Sequence, residues 1–318
     1  MISTALLAQF RPASLSLRAW ALLAILISVL FAASGGVSLH LALDNIRQAA
    51  PLGVVAIGQA LILMMGRLDL STGATASTAN IVLSTVFAGD MRNLAPALGA
   101  TFVVGAAIGL VNGFMATKLK LPSFLATLAT SLALSGTMLV YTGGSPKGAT
   151  PAAFRIITEG WLGPAPISGL IWLAIVALAF VLVHLTVLGR KMQLVGANRV
   201  AAIHSGIPAD GLTILAFVAT ALLSSLGGVL LSAITGIAII GAGDSYTLDS
   251  IAAAVIGGAL FTGGVFLPAG VVAGALILFF LQSLLYLLSL PIAARFILQG
   301  GIIILALALA NVKLEKRS

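Results

Sequence analysis

The sequence predicts an all-α polytopic membrane protein, and three observations carry that prediction. Of the 318 residues, 60% are apolar and 8% are charged, whereas soluble domains hold roughly 45–50% and about 25%. Apolar runs recur at lengths approaching the roughly 20 residues that a helix needs to cross a bilayer core of about 30 Å. The ten-residue segments of alternating apolar and polar residues that mark a membrane β-barrel do not occur.

About ten spans follow, forming one transmembrane domain over residues 1–318. The first, 19–37, follows a segment 1–18 that carries Arg11 and Arg18. Its length suits a span better than the short core of a secretory signal peptide, the competing reading. The second is 49–65. The third, 70–87, opens at Leu68-Asp69-Leu70-Ser71 and carries Ser71, Thr72, Thr75, Ser77, Thr78 and Asn80. The fourth, 94–115, has Gly105, Gly109 and Gly113 on one face. The fifth, 122–141, carries Ser123, Thr127, Thr130, Ser131 and Ser135, and the sixth, 167–188, holds His184.

The seventh span is 211–231. Residues 232–248 then either dip into the membrane or lie on its surface. The eighth span, 249–260, is short, Gly-rich and opens at Leu248-Asp249-Ser250. The ninth, 267–287, has Gly270 and Gly274, and the tenth, 291–310, leaves a tail at 311–318. Small residues four apart let helix backbones approach closely, within one subunit or across a dimer. The echo between 68–71 and 248–250, five spans apart, is compatible with an inverted repeat of the kind transporters use.

Ten spans put both termini on one side. With that side cytoplasmic, eleven of the 16 Lys and Arg residues lie inside: Arg11, Arg18, Arg67, Lys118, Lys120, Arg190, Lys191, Arg199, Lys313, Lys316 and Arg317. Arg47, Arg92, Lys147, Arg155 and Arg295 lie outside, in accord with the positive-inside rule. The net charge of +8 therefore reads as an orientation signal rather than a nucleic-acid footprint.

The residues offer no enzyme. There is no cysteine for a disulfide or thiolate metal site, and His40, His184 and His204 have no metal-ligand spacing. No phosphate-binding P-loop and no catalytic cluster occur. The spans hold almost no charge, which argues against an ion-coupled carrier. Asp69 and Asp249 are placed to cap helix starts, and Arg67 either pairs with Asp69 or stays with the inner headgroups. Ser71, Thr75, Thr78, Asn80, Asn112 and Thr127 either bond between helices or line a path for a neutral, hydroxyl-rich solute.

The sharpest local pattern lies at 189–210, a cytoplasmic loop. Asn198 suits a helix N-cap, Arg199 to Ser205 make about two turns, and Gly206 suits the C′ position with Pro208 beyond. Two turns alone are marginal in water, so this helix should dock on something. Its small residues, Ala201, Ala202 and Ser205, suit a protein groove better than a lipid surface.

Four blocks then carry a resemblance. They are Gly66-Arg67-Leu68-Asp69-Leu70-Ser71-Thr72-Gly73; Asn112-Gly113 with Pro122-Ser-Phe124-Leu-Ala-Thr127-Leu128; Gly196-Ala-Asn198-Arg-Val-Ala201-Ala202 with Ser205-Gly206-Ile207; and Thr247-Leu248-Asp249-Ser250-Ile251-Ala252-Ala253 with Ile256-Gly257-Gly258 and Gly263-Gly264. In this order they resemble the permease subunits of ATP-binding-cassette importers of ribose, xylose, arabinose and galactose. Arg67 stands where that family has glycine, and Thr247 where it has an acid. The resemblance implies an inner-membrane permease that passes a monosaccharide and has no cofactor of its own. It implies a cytoplasmic ATPase subunit that uses ATP, a periplasmic sugar-binding protein, and a second permease copy or paralogue. Gly196, Asn198, Ala201, Ala202, Ser205 and Gly206 would form the ATPase-coupling loop. Other cargoes of the same architecture are a nucleoside, a branched-chain amino acid or a signalling furanose.

Overall fold

Residues 49–64 are apolar on every side of a helix, and such a helix has to be buried. The computed structural model, which describes residues 12–36, 39–289, 291, 293, 294, 297, 300 and 301, builds the molecule around it. The elements are α1 (Pro12–Ala33), α2 (Leu39–Met64), α3 (Thr72–Phe87), α4 (Leu94–Thr117), α5 (Ser123–Thr142) and α6 (Ile156–Glu159). A two-residue hairpin, β1 (Trp161–Leu162) and β2 (Ala165–Pro166), leads to α7 (Ile167–Phe180). Then come α8 (Val187–Ala197), α9 (Arg199–His204), α10 (Ala209–Thr235), α11 (Tyr246–Ile256) and α12 (Pro268–Leu287). Every α2 residue from Ala49 to Met64 is buried, wrapped by α7, α10, α11 and α12.

Among the described residues, seven helices are long and apolar enough to cross a membrane: 16–33, 39–64, 91–117, 123–142, 167–185, 209–235 and 268–287. Three of the ten expected spans are not among these seven. The third expected span, α3, has 16 residues rich in Thr, Ser and Ala, and the eighth, α11, has 11. Both are enclosed by other helices, so neither needs the length or greasiness of a lipid-facing span. The tenth, 291–310, lies largely outside the described residues, as do residues 1–11 and the tail at 311–318. The first helix starts at Pro12, so residues 12–18 belong to it.

The glycine stripes pack inside the chain. A Cβ on Gly109 would lie 2.5 Å from the Val218 Cα, and one on Gly113 2.8 Å from the Ile214 Cα, so α4 lies backbone to backbone on α10. On α12, Cβ atoms at Gly270 and Gly274 would meet the Gly257 and Ala253 carbonyl oxygens of α11 at 1.9 and 2.0 Å. Such close approach supplies the dispersion contact that drives helix association in lipid. The outward faces are apolar instead, with Val103, Leu110 and Phe114 on α4 and Leu132 and Val140 on α5 exposed.

Two stretches break the helical pattern beside these packed cores. Residues 65–71 leave α2 and run along α5: the Leu68 N–H donates to Ser123 Oγ at 3.3 Å and the Leu70 N–H to Thr127 Oγ1 at 2.9 Å. Residues 236–245 leave α10 and fold against the middle of α3, where Ala238 is fully buried. That stretch is irregular, with Ala238 and Gly243 buried and Ile237, Asp244 and Ser245 exposed. The segments starting α3 and α11, which carry the sequence echo, meet: the Gly73 N–H donates to Thr247 Oγ1 at 3.2 Å. Irregular backbone within a membrane fold is tolerated where protein or a cavity surrounds it, and discontinuous helices accompany solute sites in transporters.

Candidate functional site

The 189–210 region holds two helices rather than a loop with one. Thr186 breaks the chain after α7 with extended backbone, and its Oγ1 accepts the Gly189 N–H at 3.2 Å, capping α8. Met192 and Val195, three apart, bury one side of α8. Asn198 then ends α8 and starts α9, its Oδ1 accepting the Ala201 N–H at 3.0 Å. At the far end the Gly206 N–H reaches the Ile203 carbonyl and the Ile207 N–H reaches the Ala202 carbonyl, both at 3.0 Å. With Gly206 at φ +75°, this is a Schellman closure. Ser205 Oγ donates to the Ala201 carbonyl at 3.0 Å.

The two alanines of α9 face different ways. Ala202 is buried against the chain, while Ala201 is exposed. Around Ala201 stand Val200 at 66% exposure and Ile203 at 52%, with Leu194 of α8 at 56%. These apolar side chains were not singled out from the sequence, because isolated valines and isoleucines in a short helix carry no periodic signal. Arg199 ion-pairs with Asp210 and donates to Thr213 Oγ1 at 3.2 Å, and Lys118 reaches Asp210 at 3.3 Å. Arg67 joins this group rather than Asp69. Burial lowers its pKa from the ordinary value, the nearby Arg199 charge lowers it further, and Asp210 opposes both.

Gly196 welds this corner to the rest of the protein. A Cβ there would lie 1.8 Å from the Met64 carbonyl oxygen and 2.9 Å from the Gly264 nitrogen. That same carbonyl accepts the Gly264 N–H at 2.8 Å. Gly263 packs equally close to the Gly196 carbonyl and the Gly66 nitrogen, at 2.6 and 2.9 Å for its missing Cβ. Gly263 and Gly264 hold φ of +82° and +80°, which glycine adopts without strain. Three segments thus meet through backbone alone: the end of α2, the α8–α9 junction, and the loop between α11 and α12.

The polar residues of the third segment divide by partner. Asp69 Oδ1 accepts both the N–H and the hydroxyl of Ser71, at 2.8 and 2.6 Å. Asn112 donates to Ser71 Oγ at 2.8 Å and accepts from Thr130 at 2.7 Å. Together with Thr127, this chain holds residues 68–71, α4 and α5 together. Asp249 lies one turn inside α11, which starts at Tyr246 rather than at 249. Asn80 is fully buried: its amide donates to Ser232 Oγ at 2.8 Å and the Ile237 carbonyl at 3.3 Å, and accepts the Ile239 N–H at 2.8 Å. Thr75 and Thr78 are buried, and their hydroxyls have no hydrogen-bond partner among the described residues.

One side of α3 borders a cavity of about 40 Å³, several times the roughly 10–15 Å³ that one water requires. Ala74, Ser77, Thr78 and Ile81 of α3 line it, with Ser135 and Met138 of α5 and Ile240, Gly241 and Asp244 of the irregular stretch. Ser77 Oγ donates to Asp244 Oδ1 at 3.0 Å and accepts the Gly243 N–H at 2.9 Å. Asp244 was not anticipated, because nothing local in sequence ties residue 244 to residue 77. His184 makes a 3.1 Å hydrogen bond with the Phe266 carbonyl. No group of three His, Cys, Asp or Glu side chains suited to a metal occurs among the described residues.

Comparison with known proteins gives a consistent picture. Residues 41–307 match the family model described as branched-chain amino acid transport system / permease component. The ribose import permease protein of Escherichia coli (strain K12) is 34% identical over 277 residues, 84% of this chain and 84% of that one. The galactose/methyl galactoside import permease protein of Salmonella typhimurium is 30% identical, covering 83% of this chain and 84% of its own length. An L-arabinose ABC transporter permease protein of Azospirillum brasilense is 29% identical, covering 84% and 78%. No solved structure matches the chain.

Proposed function

Because the chain belongs to the family of branched-chain amino acid transport system permease components, we propose that it is the membrane-spanning permease of an importer that passes a monosaccharide across the inner membrane. The relatives named for ribose, galactose and arabinose support a sugar. So does the cavity, where hydroxyls and a carboxylate meet apolar side chains and no Lys, Arg or His is among the lining residues. A branched-chain amino acid would need a cationic partner for its carboxylate. The driving force comes from a separate cytoplasmic ATPase, an extracytoplasmic binding protein delivers the solute, and a second permease copy or paralogue completes the core. The excess of Lys and Arg on one set of connections supports cytoplasmic termini.

The observation that carries the ATPase reading is the α8–α9 corner. Its outer face exposes Leu194, Val200, Ala201 and Ile203, and its inner face is welded through Gly196 to the end of α2 and to the loop between α11 and α12. A partner seated on the outer face would push on the end of α2, and residues 65–71 carry that push from α2 into α3, which lines the cavity. The two states of such a carrier differ in their affinity for the ATPase, and ATP binding shifts their populations.

Ala201 and Ala202 separate docking from folding. An Ala201→Glu substitution should abolish co-purification of the ATPase subunit and leave thermal unfolding in detergent within about 0.5 kcal/mol of wild type, as for other exposed sites. Ala202→Glu, which buries an unpaired carboxylate, should destabilise the fold itself. Full ATPase association by the Ala201→Glu protein would remove this face from the docking surface.

A further inference from the structure

The irregular stretch 236–245 presents an acid to the one side of α3 that is lined with hydroxyls. We propose that Asp244, with Ser77, Thr78 and Ser135, forms a subsite that binds the hydroxyl groups of the transported polyol on its way through the membrane. The proposal rests on the monosaccharide reading above and assigns it a place and a recognition chemistry.

The geometry prepares one carboxylate oxygen for a ligand. Oδ1 of Asp244 is held by the Ser77 hydroxyl at 3.0 Å, and the Gly243 N–H fixes Ser77 in turn. The orientation of the carboxylate is therefore set before anything binds. Oδ2 has no hydrogen bond among the described residues. It points past Gly241, where a Cβ would come within 2.7 Å of it. Gly241 holds φ +72°, so its glycine serves both the turn and the clearance beside Oδ2.

A second, independent feature faces the same space. Thr78 is 1% exposed, lines the cavity, and its Oγ1 has no partner among the described residues. A buried hydroxyl without a partner is costly, and a ligand hydroxyl recovers that cost. Ile81, Met138 and Ile240 supply apolar contact for the C–H face of a sugar ring. An acceptor pair, hydroxyls of either polarity and an apolar wall match a neutral polyol. At about 40 Å³ the cavity holds waters rather than a sugar, so it must widen to take the solute. α5, whose Ser135 is exposed and which is largely unburied, is the wall that must move to admit the solute.

The test uses the complete importer, with its ATPase and binding protein, in proteoliposomes, and D-ribose, D-galactose and L-arabinose as probes. Asp244→Asn keeps the shape and the acceptor for Ser77 but loses a charge-assisted acceptor, and should lower the maximal rate of uptake about tenfold. ATP hydrolysis stimulated by loaded binding protein should stay within about twofold, since a lost path contact leaves assembly intact. Ser135→Ala, on an exposed face, should lower uptake about threefold. Uptake by Asp244→Asn at the wild-type rate would overturn the subsite alone. Parallel loss of uptake and stimulated ATP hydrolysis would make Asp244 structural and overturn it too. Wild-type uptake that requires sodium, a requirement lost in Asp244→Asn, would assign the carboxylate to a cation instead. Wild-type protein that carries none of the three sugars would overturn the monosaccharide reading together with the subsite.

Discussion

Gly196→Ala is expected to reduce sugar uptake per ATP hydrolysed by about tenfold or more and to destabilise the protein by about 3 kcal/mol, the upper end for overpacking. The reason is that the new methyl meets backbone on every side. Its Cβ would sit 1.8 Å from the Met64 carbonyl oxygen and 2.9 Å from the Gly264 nitrogen. Flexible side chains can turn away from a methyl group, but a carbonyl that ends a helix buried from Ala49 to Met64 cannot. The clash also separates the Met64 carbonyl from the Gly264 N–H, which are 2.8 Å apart. The α8–α9 corner would then lift off the end of α2 and the loop between α11 and α12, and motion imposed on it would no longer reach α3 and the cavity. Gly211→Ala is the control. Nothing lies within 4 Å of a Cβ at that helical position, so the change should be neutral or stabilising by up to about 1 kcal/mol. Uptake by Gly196→Ala equal to that of Gly211→Ala would show that the corner transmits nothing.

Asn80→Leu should be the most destabilising substitution within α3, at about 2–3 kcal/mol, because it leaves the Ile239 N–H without its partner and removes the bonds to Ser232 and the Ile237 carbonyl, the latter keeping only Thr235 Oγ1 at 2.9 Å. Asn80 is wholly buried, and its amide is the partner of the Ile237 carbonyl and the Ile239 N–H. Leucine matches the volume but pairs with neither, and Ser232 loses its donor as well. Residues 236–245 have no helix of their own; a bridge from Ile237 to Ala149 and the Thr150 N–H on the Gly236 carbonyl hold their start, and Asn80 and Ser77 tie the rest to α3. Once detached, they no longer position Asp244, and uptake should fall below detection in the fraction that remains folded. Thermal unfolding in detergent and uptake in proteoliposomes check the two halves of this expectation. Wild-type stability would mean that the stretch is held elsewhere.

What the sequence revealed was what is local. The start and stop of α9 were legible because an Asn198 cap and a Gly206 closure act within a few residues of themselves. The glycine stripes of α4 and α12 were legible because a four-residue spacing must lie on one helix face, although the sequence left open which helix they meet. α8 was hidden because its N-cap, Thr186, lies inside a run that reads as one continuous span. The shortness of α3 was hidden for a related reason. Leu68 and Leu70 look like the start of a helix, but their N–H groups bond to Ser123 and Thr127, more than 50 residues away.

The site shows the same division. Hydroxyls and amides in the third segment marked it as polar, yet Ser71, Asn112 and Thr127 spend their hydrogen bonds holding α4 and α5 to residues 68–71. Thr78, spaced no differently, faces a cavity. Only the packing separates the two uses. Asp244 enters through the fold alone, because residues 77, 135 and 244 converge from three separate elements.

In the function proposed, this chain is a sugar path worked from outside by an ATPase seated on the α8–α9 corner. Uptake of labelled D-ribose, D-galactose and L-arabinose into proteoliposomes tests it most directly, with permease, ATPase and binding protein present and each omitted in turn. Accumulation of at least one sugar that needs all three components and ATP is the expected result. Accumulation by the permease alone, driven by a proton or sodium gradient, would contradict it.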